Sequence, residues 1–129
     1  MILADTSIWI DHLRSGDANL SRLLDNSAVL AHPWVTGELA LGNLHRRGEV
    51  IGSLRGPPQA TLATHEEVLS MIEQAALYGA GIGYVDAHLL AATRLTPDTT
   101  LWTRDKRLSE VTARLGMALQ PDPLFEPPR

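Results

Sequence analysis

Four acidic residues stand where acids invite chemistry. Ile2, Leu3 and Ala4 run straight into Asp5, and Leu101, Trp102 and Thr103 run into Asp105 two residues later. Each of these carboxylates has a hydroxyl two positions away, Ser7 after Asp5 and Thr103 before Asp105. A third acid, Asp86, interrupts the apolar string GYVDAHLLAA, and a fourth, Glu38, sits in TGELALG. Crowded carboxylates repel, which opposes their ionisation unless a cation sits between them. An all-oxygen set selects a hard ion such as Mg²⁺ or Mn²⁺. Such an ion can coordinate a phosphodiester oxygen, activate water and stabilise a leaving oxygen.

Taken singly, each acid has a plainer explanation. Asp5 and Asp105 precede helical patterns and so suit N-caps, worth about 1 kcal/mol each. Asp86 near a helix start gains about 0.3 to 1 kcal/mol from the helix dipole. Glu38 suits a solvated helix face. The case for a site therefore rests on whether the four meet. Asp86 already points that way, since its neighbours Val85, Ala87, Leu89, Leu90, Ala91 and Ala92 predict a partly buried acid, and buried carboxylates need partners.

The positioning elements follow from apolar spacing. Val85, Leu89 and Ala92 fall at i, i+4, i+7, and Leu108, Val111 and Leu115 at i, i+3, i+7, both core-facing helical stripes. Short apolar runs at 2–4, 28–31, 100–103 and 117–119 have strand length, and further helices are expected over 7–14, 18–26, 34–45 and 65–78. Alternating strands and helices predict an α/β domain with a mostly parallel sheet, whose carboxyl edge is where ligand crevices form. Residues 46–59, RRGEVIGSLRGPPQ, read as an exposed, basic connection with one helical turn around Val50 to Leu54.

Bulk properties narrow the class. The chain of 129 residues suits one domain, and 44% hydrophobic with 20% charged residues is a globular composition. There is no cysteine, which excludes disulfides, thiolate zinc sites and thiol nucleophiles. No apolar run approaches the roughly 18 residues of a membrane span, and the start lacks a secretory pattern, so a cytoplasmic protein that avoids membranes is expected. The net charge of −4 disfavours nucleic acid at first sight. If four of the fifteen acids are ligands, however, eleven remain against eleven bases, and ten of those bases are Arg, whose planar fork suits phosphate oxygens.

The stretches LADTSIWIDHL, TGELALG, GYVDAHLLAA and LWTRDKRL, in that order, resemble the PIN-domain family and, more closely, the VapC-type toxin ribonucleases of bacterial toxin–antitoxin pairs. The similarity runs from residue 1 to about 120. It implies a three-layer PIN-like α/β/α sandwich around a mostly parallel sheet, a nuclease domain over residues 1–120 and a proline-rich tail over 121–129. It further implies a Mg²⁺ or Mn²⁺ site made by Asp5, Glu38, Asp86 and Asp105, with Asp5 and Asp86 the first choices as ligands and Ser7 and Thr103 supporting. Endoribonuclease activity on structured RNA such as tRNA or ribosomal RNA, homodimerisation, and inhibition by a VapB-type antitoxin whose tail occupies the active-site groove are implied with it.

Other signals carry less. Arg46, Arg47 and Arg55 are the best candidates for phosphate contact, with solvated loop charge as the alternative, and Arg104 and Lys106 flank Asp105 within reach of RNA. GAGIG at 79–83 follows a helical pattern rather than a strand, so it is a loop and not a dinucleotide fingerprint. His88 reads as a hydrogen-bonded core residue; His12, His32, His45 and His65 lack ligand spacing. Trp9, Trp34 and Trp102 could stack on bases, but their apolar settings predict core packing. Two other classes compete with a hydrolase: a receiver-like Mg²⁺-binding signalling module, which wants paired acids after its first strand where Asp5 stands alone, and a protein-interaction domain whose acids are only caps.

Overall fold

The computed structural model describes residues 1–119, so the proline-rich segment 121–129 lies outside the described residues. Three parallel strands form the sheet: β1 (Ile2–Ala4), β2 (Val29–Leu30) and β3 (Thr100–Trp102), in the order β2-β1-β3. Leu3 pairs with Leu30 on one side and Leu101 on the other. β1 is fully buried, as a central parallel strand must be. The chain steps from β1 outward to β2, then crosses back over β1 to β3. Right-handed crossovers running in opposite directions place their helices on opposite faces, and the result is the expected PIN-like α/β/α sandwich.

Among the described residues seven helices surround the sheet: α1 (Thr6–Ser15), α2 (Ala18–Asp25), α3 (Pro33–Ala40), α4 (Arg47–Leu54), α5 (His65–Gln74), α6 (Tyr84–Leu95) and α7 (Lys106–Arg114). Their starts are written locally. Asp5, Asp17 and Asp105 each accept an N–H from the first turn of the helix they precede, and Thr64 with Glu67 forms a reciprocal capping box on α5. Leu3, Ile8, Leu20, Leu23, Leu90 and Leu108 are sealed from solvent at the centre of the core.

Besides α5, which ends at Gln74 rather than at residue 78, three elements differ from the sequence expectation. α3 stops at Ala40 instead of reaching residue 45, because the chain turns through Gly42. The connection at 46–59 holds a full eight-residue helix, α4, rather than one turn. Val50, Ile51 and Leu54 make a stripe that packs on the core, Leu54 being only 2% exposed, and this burial outweighs the helix-weakening Gly48 and Gly52. The run 117–119 contributes a single parallel bridge, Leu101 to Ala118, instead of a strand.

Candidate active site

β1 and β3 are neighbours, so the residues that follow them emerge side by side. The Asp5 N–H still donates to the Trp102 carbonyl at 3.0 Å, carrying the ladder one step past the strand ends. Asp5 then caps α1 and is 4% exposed. Its carboxylate is held on both oxygens: Ser7 Oγ and the Ile8 N–H donate to Oδ1, and Thr103 Oγ1 donates to Oδ2. Burial raises the Asp5 pKa above the usual carboxylate value, while the Ser7, Thr103 and backbone bonds pull the other way.

The two hydroxyls tie Asp5 to the far end of the chain. Thr103 Oγ1 accepts the Asp105 N–H at 3.0 Å, and Ser7 Oγ accepts the Arg104 N–H at 3.0 Å. Asp105 spends Oδ1 on the Leu108 N–H as the cap of α7 and stands exposed. Glu38, also exposed, reaches from α3 to the Thr6 hydroxyl at 2.6 Å, which brings it beside Asp5. Thr6 is a contact the sequence reading did not find, though its place next to Asp5 is the signal.

Asp86 closes the group from α6. Its Oδ2 accepts the Gly83 N–H at 3.0 Å, and it is half-buried as expected. Its pKa is raised first by burial, against the Gly83 bond, and then by the negative charges of Asp5, Asp105 and Glu38. Asp86 thus senses all three other acids. Three of the four also cap helices, so the plainer explanation and the convergence hold together. Among the described residues no three acidic or histidine side chains are drawn tightly enough to hold a metal ion by themselves; the arrangement is open, with an all-oxygen donor set under mutual repulsion.

No family model matches the chain. Two proteins called Ribonuclease VapC32, from Mycobacterium tuberculosis strains CDC 1551 / Oshkosh and ATCC 25618 / H37Rv, are each 46% identical to it over 119 residues, covering 92% of this chain and 96% of theirs. The chain belongs to the VapC ribonuclease family.

In this VapC-family chain the arginines differ in the protein partners they have. Arg104, expected within reach of RNA, also has protein partners: Nη1 donates to Asp11 at 2.5 Å, Nη2 to Asp17 at 2.5 Å, and the guanidinium lies 5.7 Å from the Trp102 ring centroid. Burial acts against its charge, but the Asp17 and Asp11 bonds outweigh that and raise its pKa. Arg47 donates to the Gly42 and Ala40 carbonyls at the end of α3. Arg46 is exposed and only 3.8 Å from Glu49, and Arg55 is exposed beyond α4. Asp11 and Asp17, missed in the sequence, have no local signal that would reveal a partner some 90 residues away.

Two further expectations are overturned. Trp34 is not a core residue but 40% exposed, because it sits in the first turn of α3 where the helix leaves the sheet. His88 is buried at 3% exposure, yet neither ring nitrogen has a hydrogen-bond partner; it stacks on Trp34 instead. His32, given no role from spacing, is the N-cap of α3, its Nδ1 accepting the Trp34 N–H at 3.0 Å. Among the described residues no helix is long and apolar enough to cross a membrane.

Proposed function

We propose that this chain is a metal-dependent endoribonuclease that hydrolyses phosphodiester bonds in structured RNA such as tRNA or ribosomal RNA, acting as the toxin of a toxin–antitoxin pair. The observation that carries the reading is the placement of the acids: Asp5 and Asp105 follow the paired strands β1 and β3, the Thr6 hydroxyl holds Glu38 next to Asp5, and the pKa of Asp86, raised first by burial, is raised further by the charges of those three. The printed name of its relatives, Ribonuclease VapC32, supports the reaction class.

Asp5 and Asp86 would hold a Mg²⁺ or Mn²⁺ ion, with Glu38 and Asp105 alongside. Mg²⁺ keeps several waters and takes one or two carboxylates plus substrate oxygens, so such a site does not require a cage of three protein ligands. When bound, the ion supplies Lewis acidity toward a phosphate oxygen and offsets the repulsion among the acids. Ser7 and Thr103 fix the Asp5 carboxylate from both sides and favour its charged form against burial. The Thr6 hydroxyl holds Glu38 toward the group. The chain offers the phosphodiester no thiol, and the reading requires no covalent enzyme intermediate.

A groove of about 440 Å³ opens beside Glu38, with Ile10, Leu13, Leu39, Leu44 and Val50 as its apolar wall and Arg14 at its rim. It supports a VapB-type antitoxin that lays an apolar segment there and ends over the acids. Homodimerisation belongs to the same reading.

The test is incubation of purified protein with total RNA and Mn²⁺, followed by sequencing of the new ends, with Glu38→Gln alongside. Discrete ends from the parent and none from the variant support the proposal. Equal cleavage by both, or none by the parent with either ion, overturns it.

A further inference from the structure

Trp34 and Tyr84 are 40% and 39% exposed, and their rings stand 5.9 Å apart at 67°. Large aromatics are usually withdrawn from water, so a neighbouring pair left out calls for a reason. Their position supplies one. Trp34 is one helical turn before Glu38 on α3, hence on the same face, and Tyr84 is two residues before Asp86 at the start of α6. The two helices that carry Glu38 and Asp86 therefore also carry this pair.

The pair is braced from below at some cost. His88 stacks on Trp34 with centroids 4.2 Å apart and planes within 22°, and meets Tyr84 edge-on at 4.6 Å and 89°. Both His88 nitrogens and His32 Nε2 are buried with no hydrogen-bond partner, an arrangement an aliphatic side chain would avoid. What an imidazole offers and a leucine does not is a flat backing for the indole. His32 holds the Trp34 backbone through its Nδ1, and the Tyr84 hydroxyl is paired with His65 Nδ1.

We propose that Trp34 and Tyr84, braced by His88, form a stacking platform for one unpaired nucleobase next to the phosphate that the four acids address. The proposal rests on the ribonuclease reading and deepens it. Aromatic faces hold unstacked bases of any sequence, and RNA loops and single strands are where such bases are available. The platform thus selects RNA with an unpaired base at the cutting position over fully paired duplex.

The test measures fluorescence anisotropy of a labelled single-stranded RNA oligonucleotide and of the same strand in a full duplex, without divalent ion so that nothing is cut. The whole protein is compared with Trp34→Ala and Trp34→Phe, each checked by circular dichroism. Trp34→Ala weakens single-strand binding by on the order of tenfold and removes the preference over duplex, while Trp34→Phe keeps most of both. A single abasic position in the strand lowers parent affinity by a similar factor and adds nothing to Trp34→Ala. Unchanged affinity in Trp34→Ala overturns the platform, even if the protein still cuts RNA with Mn²⁺. Unchanged affinity per chain together with dissociation of Trp34→Ala into monomers on sedimentation also overturns it, making the patch an interface between copies. Strand binding that depends on Trp34 without any cleavage retains the platform and removes the hydrolase reading.

Discussion

The Thr103 hydroxyl donates to the Asp5 carboxylate across 98 positions of sequence, joining side chains that follow β1 and β3 in one site. Thr103→Val keeps the shape and removes the donor, and it leaves the Asp105 N–H without its acceptor. Bonds to charged groups contribute about 1.5 to 3 kcal/mol. We expect RNA cleavage near neutral pH to fall roughly ten- to a hundredfold, with partial recovery as pH rises because Asp5 loses its proton less readily without Thr103. A pH–rate profile for parent and variant checks this; a uniform fall at every pH would mean that Thr103 does not act through Asp5.

Asp5 and Asp86 both have raised pKa values in the folded chain. The folded state then binds more protons than the unfolded state just above pH 3.8, so stability falls as pH rises through that window and the deficit persists at neutral pH. Asp86→Asn, which can still accept from Gly83, should therefore melt higher than the parent without added ions. Mn²⁺ should raise the parent's melting temperature more than the variant's. Calorimetric scans at neutral pH with and without Mn²⁺ measure both; equal shifts would remove Asp86 from the ion's surroundings.

His32 titrates in the opposite sense. Burial, helped by the nearby His88, lowers its pKa from 6.5 to about 4. The unfolded chain binds the extra proton first, so the proton-linked penalty of His32 is absent above pH 6.5 and grows as pH falls toward 4, to about 3 kcal/mol in all. His32→Asn retains an acceptor for the Trp34 N–H and should flatten the stability curve between pH 6.5 and 4. Urea titrations across that range show it; an unaltered slope would assign the acid sensitivity to other groups.

Arg104 and Arg55 make a paired test of structural against RNA-facing charge. Arg104→Gln strands Asp11 and Asp17; since the guanidinium is 40% exposed, solvent screening limits the loss to about 1 kcal/mol of stability. The salt dependence of RNA binding should be unchanged in that variant. Arg55→Gln should leave stability unchanged and reduce the salt slope by about one. Binding measured over a series of KCl concentrations separates the two, and a reduced slope for Arg104→Gln would return that residue to the RNA surface.

The fold was legible where local rules decide. Asp5 and Asp105 each follow an apolar run and precede a helix, so two parallel strands ending in capping acids can be read from nearby residues, and the apolar surroundings of Asp86 announce its partial burial. α4 was misread because Gly48 and Gly52 argue against helix locally, whereas the burial of Leu54 is settled by distant parts of the core. The commitment of Arg104 to Asp11 and Asp17 is likewise invisible, since no periodicity links residues 87 and 93 positions apart. Trp34 was misjudged because apolar neighbours do not say which side of a first helical turn faces water.

Strand order has a consequence for biosynthesis. β1 is made first, yet the strand beside it that delivers Thr103 and Asp105 is the last of the three to be made. Until β3 has emerged, a nascent polypeptide has Asp5 with the Ser7 hydroxyl on one oxygen and no Thr103 hydroxyl on the other. The pocket is therefore assembled only once β3 and the residues after it have emerged and paired beside β1.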